Sequence, residues 1–190
     1  MTLHLHIEIV NASLDDFWPS VFVMGLCGDI RPPKGSPGLV DWRTGGMLSE
    51  LIRNGFITAS VAEQSLLWSQ RRKSKIYVFG MGKRIPPTPD TTRRVAYQII
   101  NSLCKAKEQN AILVADPLLG ISAEKGAESS FMEGAVDAFN EGAAKEPIRF
   151  IVPCGVKKAE EIHENFRRGI LKLGEKAECI GLTIVTSYEV

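Results

Sequence analysis

Val21-Phe22-Val23-Met24-Gly25-Leu26 is an unbroken apolar run. It ends in Cys27-Gly28-Asp29, crosses a Pro- and Gly-rich segment from Gly28 to Gly38, and enters Leu39-Val40-Asp41-Trp42-Arg43-Thr44-Gly45-Gly46-Met47-Leu48-Ser49-Glu50-Leu51-Ile52. A run with no polar alternation predicts a strand covered on both faces, as parallel sheets of α/β proteins require. Met47, Leu48, Leu51 and Ile52 recur at helical spacing, which predicts one helix over Leu39–Arg53, stopped by Asn54-Gly55. Strand, glycine loop and helix in that order make half of a βαβ unit.

The same alternation continues outward in both directions. Leu3, Leu5, Ile7 and Ile9 alternate with polar residues and predict a half-buried strand over Leu3–Val10. Ser65–Trp68 and Ile76–Phe79 read as two adjacent short strands, able to form a local antiparallel pair. Further strands are expected at Ala111–Ala115, Ile148–Val152 and Cys179–Thr186. Helices are expected after Pro89, capped by Asp90, Thr91 or Thr92; after Ser130, where Ser130 and Glu133 make a capping-box pattern; and over Ala159–Leu173. The expected fold is a three-layer α/β/α sandwich with a mixed, mainly parallel sheet of about six or seven strands. No repeat or linker divides residues 1–190, so one domain is expected.

Lys and Arg (23) nearly balance Asp and Glu (22), for a formal charge of +1, so no basic excess marks a nucleic-acid binder. Arg71, Arg72, Lys73 and Lys75 form a local run expected at a turn before a strand. Cys27, Cys104, Cys154 and Cys179 show no C-x-x-C spacing and predict free thiols in a reducing, cytoplasmic setting. His4 and His6 share one strand face and are expected to be solvated on an edge strand rather than to bind metal. No basic and apolar leader opens the chain, and no run reaches the length of a membrane span.

The segment from Gly38 to Ile52 resembles the first helix of the N-terminal domain of the leucyl (cytosol) aminopeptidases, with its small-Gly-x-Leu-Ser-x-Leu-Ile pattern. Asn54-Gly55-Phe56 and Ala62-Glu63 fill the turn and the step that follow it there. Lys75-Ile76-Tyr77-Val78-Phe79-Gly80-Met81-Gly82-Lys83 is similar to the family's apolar strand ending in Gly-x-Gly-Lys. The likeness is clearest over residues 21–105. It implies a macro-domain-like fold and a non-catalytic module of assembly or regulation, self-associating as a homo-oligomer or binding an aminopeptidase-type subunit. The family's chemistry resides in a separate two-metal domain with an Asn-Thr-Asp-Ala-Glu-Gly-Arg motif, which this sequence lacks. No peptidase activity, catalytic residue, metal ligand or cofactor is therefore carried over.

Two glycine loops are candidates for more than connection. Gly25, Gly28, Asp29, Gly35 and Gly38, with Lys34, surround the end of a buried strand and the start of a helix. Exposed backbone N–H groups there can bind the phosphate of a small ligand. Gly120 and Ser122 belong to the second loop. The alternative function is thus a macro-domain-type binder or hydrolase of a nucleotide or ADP-ribose derivative, although the Asn-Ala-Ala and triple-glycine segments of macro domains are absent. Asp29 and Asp116 are the acids at strand ends able to meet a ligand amine. Cys27 and Cys154 are expected to be buried strand-end thiols. Trp18, Trp42 and Trp68 are assigned to the core or to a subunit interface, not to nucleic acid.

Overall fold

The computed structural model describes residues 4–18, 20–83, 87–119, 126–142, 146–174 and 180–185. The strands are β1 (Leu5–Asn11), β2 (Val21–Leu26), β3 (Gln64–Ser69), β4 (Ser74–Gly80), β5 (Asn110–Val114), β6 (Ile148–Cys154) and β7 (Ile180–Val185). They form one sheet in the order β3-β4-β2-β5-β6-β1-β7. Every neighbouring pair is parallel except β3 and β4, which pair antiparallel through the short turn that carries Arg71, Arg72 and Lys73. The mixed, mainly parallel sheet and the local antiparallel pair are both as the sequence predicted.

Alternate residues of each strand feed two apolar layers. Val23, Tyr77, Phe79, Leu113, Phe150 and Ile7 point to one side. There they meet the long helices α3 (Pro89–Ala106), α5 (Ala127–Asn140) and α6 (Val156–Leu173). Phe131 of α5 sits edge-on to both Phe150 and Phe166. Phe22, Met24, Ile76, Val78 and Ile112 point to the other side and are covered by the short helices α1 (Gly35–Arg43) and α2 (Met47–Arg53) and a 3-10 turn at Leu14–Phe17. Helices thus cover both faces, but unequally.

Five local expectations are corrected. The helix expected over Leu39–Arg53 is two helices, because Gly45 and Gly46 both adopt φ +82, which no helical residue does. Asp41 closes the break: its carboxylate accepts from the Ser49 N–H at 3.0 Å, capping α2 from the preceding helix. β1 is an inner strand, not a half-buried edge. His6 donates to or accepts from Thr183 Oγ1 at 2.9 Å, and His4 lies against Phe139. Glu8 is buried on the same strand and pairs with Arg149 of β6. Ser130 does not cap a helix. α5 starts earlier, after Gly126 at φ +104, and Ser130 is buried inside it. Helix α3 is capped by the Thr88 side chain, which accepts from the Thr91 N–H. Trp42 and Trp68, assigned to the core or to a subunit interface, are 66% and 55% exposed in the chain and so lie outside its core.

No helix among the described residues is long and apolar enough to cross a membrane.

Candidate ligand cleft at the ends of β2 and β5

β2 and β5 are neighbours whose chains depart in opposite senses. From β2 the chain passes to α1 and α2 on the thin face. From β5 it passes through the single turn α4 (Ala115–Leu118) to α5 on the thick face. The loops therefore diverge and leave a crevice beyond the carboxyl ends of the strands, which is where open α/β sheets hold ligands. A cleft lies there, lined by Leu26, Cys27, Ile30, Pro33, Lys34, Gly35, Pro37, Asp116 and Pro117. Its volume is about 130 Å³. Pro33 also lines a wider groove of about 500 Å³ with Arg31, Pro32, Ser49, Ile52 and Arg53.

The residues singled out in the sequence take different positions. Gly35 lines the cleft and has two reasons to be glycine: its φ is +62, and a Cβ would lie 2.7 Å from Asp116 Oδ2. The absence of a side chain thus lets the start of α1 approach the Asp116 carboxylate. Lys34 is the N-cap residue of α1 and makes no side-chain cap. In the first turn Pro37 has no N–H and the Gly38 N–H donates to Lys34 O at 3.3 Å, so the remaining donors are those of Gly35 and Ser36, beside the Asp116 carboxylate. Gly28 is close by, but its N–H donates to Gly82 O at 2.8 Å, and a Cβ would meet Thr58 O at 3.0 Å. Its role is to join the loops that follow β2 and β4. Gly25 is buried under Leu118 and Met81. Gly38 packs in the first turn of α1, where a Cβ would be 2.6 Å from Pro33 O. Asp29 is exposed beside the cleft. Gly120 and Ser122 lie outside the described residues.

Sequence reading did not find Ile30, Pro33 or Pro117, which form the apolar walls. Nor did it find Arg31 and Arg53. The signal for the walls was in the Pro-rich composition of the loop, whose rigid backbone holds the side of the cleft open.

Cys27 is 3% exposed at the floor. Burial, and then the nearby carboxylates of Asp29 and Asp116, push its thiol up to about 12. Burial likewise raises Cys154 to about 11, against the opposing charge of Lys158. Both are inert at neutral pH, and Cys27 forms a neutral part of the wall instead of a nucleophile. Among the described residues no group of three or more His, Cys, Asp or Glu side chains is placed to hold a metal ion.

No family model matches the sequence, and no curated protein matches it. Solved structures do resemble the fold. A tomato leucine aminopeptidase variant superposes with a TM-score of 0.62 at 13% identity, over 88% of this chain and 36% of that one. The chain therefore spans about a third of the length of that aminopeptidase. A Trypanosoma brucei macrodomain in complex with ADP gives a TM-score of 0.62 at 13% identity, covering 87% of this chain and 69% of that one. The macrodomain of Mycobacterium tuberculosis DarG gives 0.55 at 14% identity, over 77% of this chain and 97% of that one. At such identities the likeness speaks for architecture alone, and the architecture is macrodomain-like.

Proposed function

We propose that the chain binds a small phosphate-bearing ligand of the nucleoside-diphosphate kind in the cleft at the ends of β2 and β5. The observation that carries this reading is the juxtaposition of Asp116, Lys34 and the start of α1, where the Lys34 side chain makes no cap bond, around one crevice at the sheet's switch point. The helix start supplies N–H donors and positive potential for phosphate, while Asp116 can accept from a hydroxyl or amine of the same ligand. At about 130 Å³ the cleft takes only a compact part of such a molecule. The rest would extend past Pro33 into the groove that carries Arg31 and Arg53. Macrodomains of this architecture have been solved with ADP and with ADPR, which supports choosing those ligands first.

The test is calorimetry and thermal unfolding of the full chain with ADP-ribose, ADP and inorganic phosphate. A ligand that binds the folded state alone raises Tm with concentration. Asp116→Asn and Lys34→Ala are expected to weaken binding, Asp116→Asn the more, because a lysine head in a loop is a screened charge. Absence of heat and of any Tm shift with all three ligands would sink the reading.

A second reading is an assembly or regulatory module comparable in form to the N-terminal domain of a leucine aminopeptidase, working with a homo-oligomer or an aminopeptidase-type subunit. The superposition on about a third of the tomato enzyme favours it. Co-purification of the chain with an aminopeptidase subunit, with the cleft empty of ligand, would move the conclusion there.

A further inference from the structure

β3 is an outer strand of the sheet, paired on one side with β4. Its sequence, Gln64-Ser65-Leu66-Leu67-Trp68-Ser69, contains no charge, proline or glycine. Those are the devices with which soluble proteins blunt an open edge. Two of its side chains, Leu66 and Trp68, are 57% and 55% exposed on the same face.

The hydrogen-bonding phase of the strand follows from one bond. Gly80 N donates to Glu63 O at 2.9 Å, so Glu63 and Gly80 are a bonded pair in the antiparallel register. Bonded pairs alternate. Ser65, Leu67 and Ser69 thus direct their main-chain groups to β4, and Gln64, Leu66 and Trp68 direct theirs outward. Among the described residues, nothing pairs with the main-chain groups of this edge, at the same residues that expose apolar side chains.

We propose that this edge pairs with β3 of a second copy of the chain, antiparallel about a two-fold axis through Leu67. This register satisfies every constraint just given. Leu66 faces Trp68 of the other copy, and Trp68 faces Leu66, both as bonded pairs. Gln64 faces Gln70. Leu67 meets its own copy across the axis as a non-bonded pair. Glu63, whose carboxylate accepts from the Thr58 and Ser60 N–H groups, comes to the end of the contact where the other copy enters its basic turn, Arg71 to Lys73. The match is one of charge as well as of main-chain phase. A parallel alignment would instead put the two basic turns, Arg71 to Lys73, side by side. The antiparallel one separates Arg71 from its own copy by about 27 Å along the strands. The same surface used by both copies is the usual form of a two-fold contact.

The experiment is sedimentation of the full chain over a concentration series, together with oxidation of Leu67→Cys. Leu67 Cα atoms across the axis would stand about 4.5 Å apart, within disulfide reach. The expected results are a wild-type dimer, a covalent dimer from Leu67→Cys but not from the wild type, and a roughly tenfold or greater weakening of the dimer by Leu66→Lys with Trp68→Lys. Circular dichroism of the lysine variant must match the wild type. If that variant fails to fold, Leu66→Thr with Trp68→Thr replaces it, since threonine keeps strand propensity. A wild type that stays monomeric throughout overturns the proposal. So does a dimer untouched by the edge variants, or one in which Leu67→Cys forms no cross-link.

Discussion

The two faces of the sheet are built to different standards. One carries three helices, two of them of 18 residues, and a layer of phenylalanines in edge contact. The other carries helices of 9 and 7 residues with a glycine break between them. On the thick face two long helices meet backbone to backbone. A Cβ on Gly134 of α5 would lie 2.0 Å from the Arg93 carbonyl of α3. On the thin face the comparable glycines, Gly46 and Gly55, face open space. The cleft opens beside the thin layer, against α1. The contrast teaches that close helix packing holds the sheet together, and that the lighter cover leaves room for a ligand.

Changes matched across the two faces can break that contrast. Gly134→Ala carries the largest expected effect. The added methyl forces α3 and α5 apart, so the loss should be about 3 kcal/mol or more, measured by denaturant unfolding, and expression at 37 °C should fall. Asp41→Ala on the thin face removes the acceptor of the Ser49 N–H and should cost about 1–2 kcal/mol, as lost helix caps do. Gly46→Ala, at φ +82 but in open space, should cost about 1 kcal/mol, a strain without a clash. If the order of Gly134→Ala and Gly46→Ala were reversed, the distinction between the faces would fail.

The smallest expected effect concerns pH and the cleft floor. Cys27 and Cys154 are raised in the folded chain to about 12 and about 11, from an ordinary 9.0. The unfolded chain releases these protons first. Their contribution to stability is therefore complete below pH 9 and is lost between there and the folded values. Cys27→Ala should flatten the alkaline decline in unfolding free energy relative to wild type. Thiol reagents should modify Cys27 slowly at neutral pH and faster when the chain is unfolded. Rapid modification of Cys27 in the native chain would show that the floor of the cleft is more open than its 3% exposure.

The sequence made some of this legible. Unbroken apolar runs at Val21–Leu26 and Ala111–Ala115 announce buried parallel strands, since periodicity is a local property. The apolar stripes of α3 and α6 are local for the same reason. The break between α1 and α2 was written in Gly45-Gly46, but the apolar spacing across it masked the signal. The position of β1 was not legible. Alternation suggests an edge, and only pairing with β6 and β7 reveals an inner strand where Glu8 has a partner in Arg149. Trp68 was legible only in part: its type suits a core or an interface, and the outer place of β3 excludes the core. In the cleft, Gly35 and Asp116 stood out separately as a loop glycine and a strand-end acid. Their approach, close enough that a Cβ on Gly35 would lie 2.7 Å from Asp116 Oδ2, depends on the order of β2 and β5 in the sheet, which no local pattern encodes.

The inner place of β1 bears on how the chain acquires its structure. Glu8 meets Arg149 across 141 positions, and His6 meets Thr183 across 177. β2, β3 and β4 can pair as soon as they have been made. β1 must wait as an unpaired apolar strand until β6, which ends at Cys154, has emerged. Contacts so distant along the chain slow folding, because loop closure must precede their stabilisation. The half of the sheet centred on β1 should accordingly assemble last, and the interval before β6 arrives is when a nascent chain is most exposed to pairing with the wrong strand.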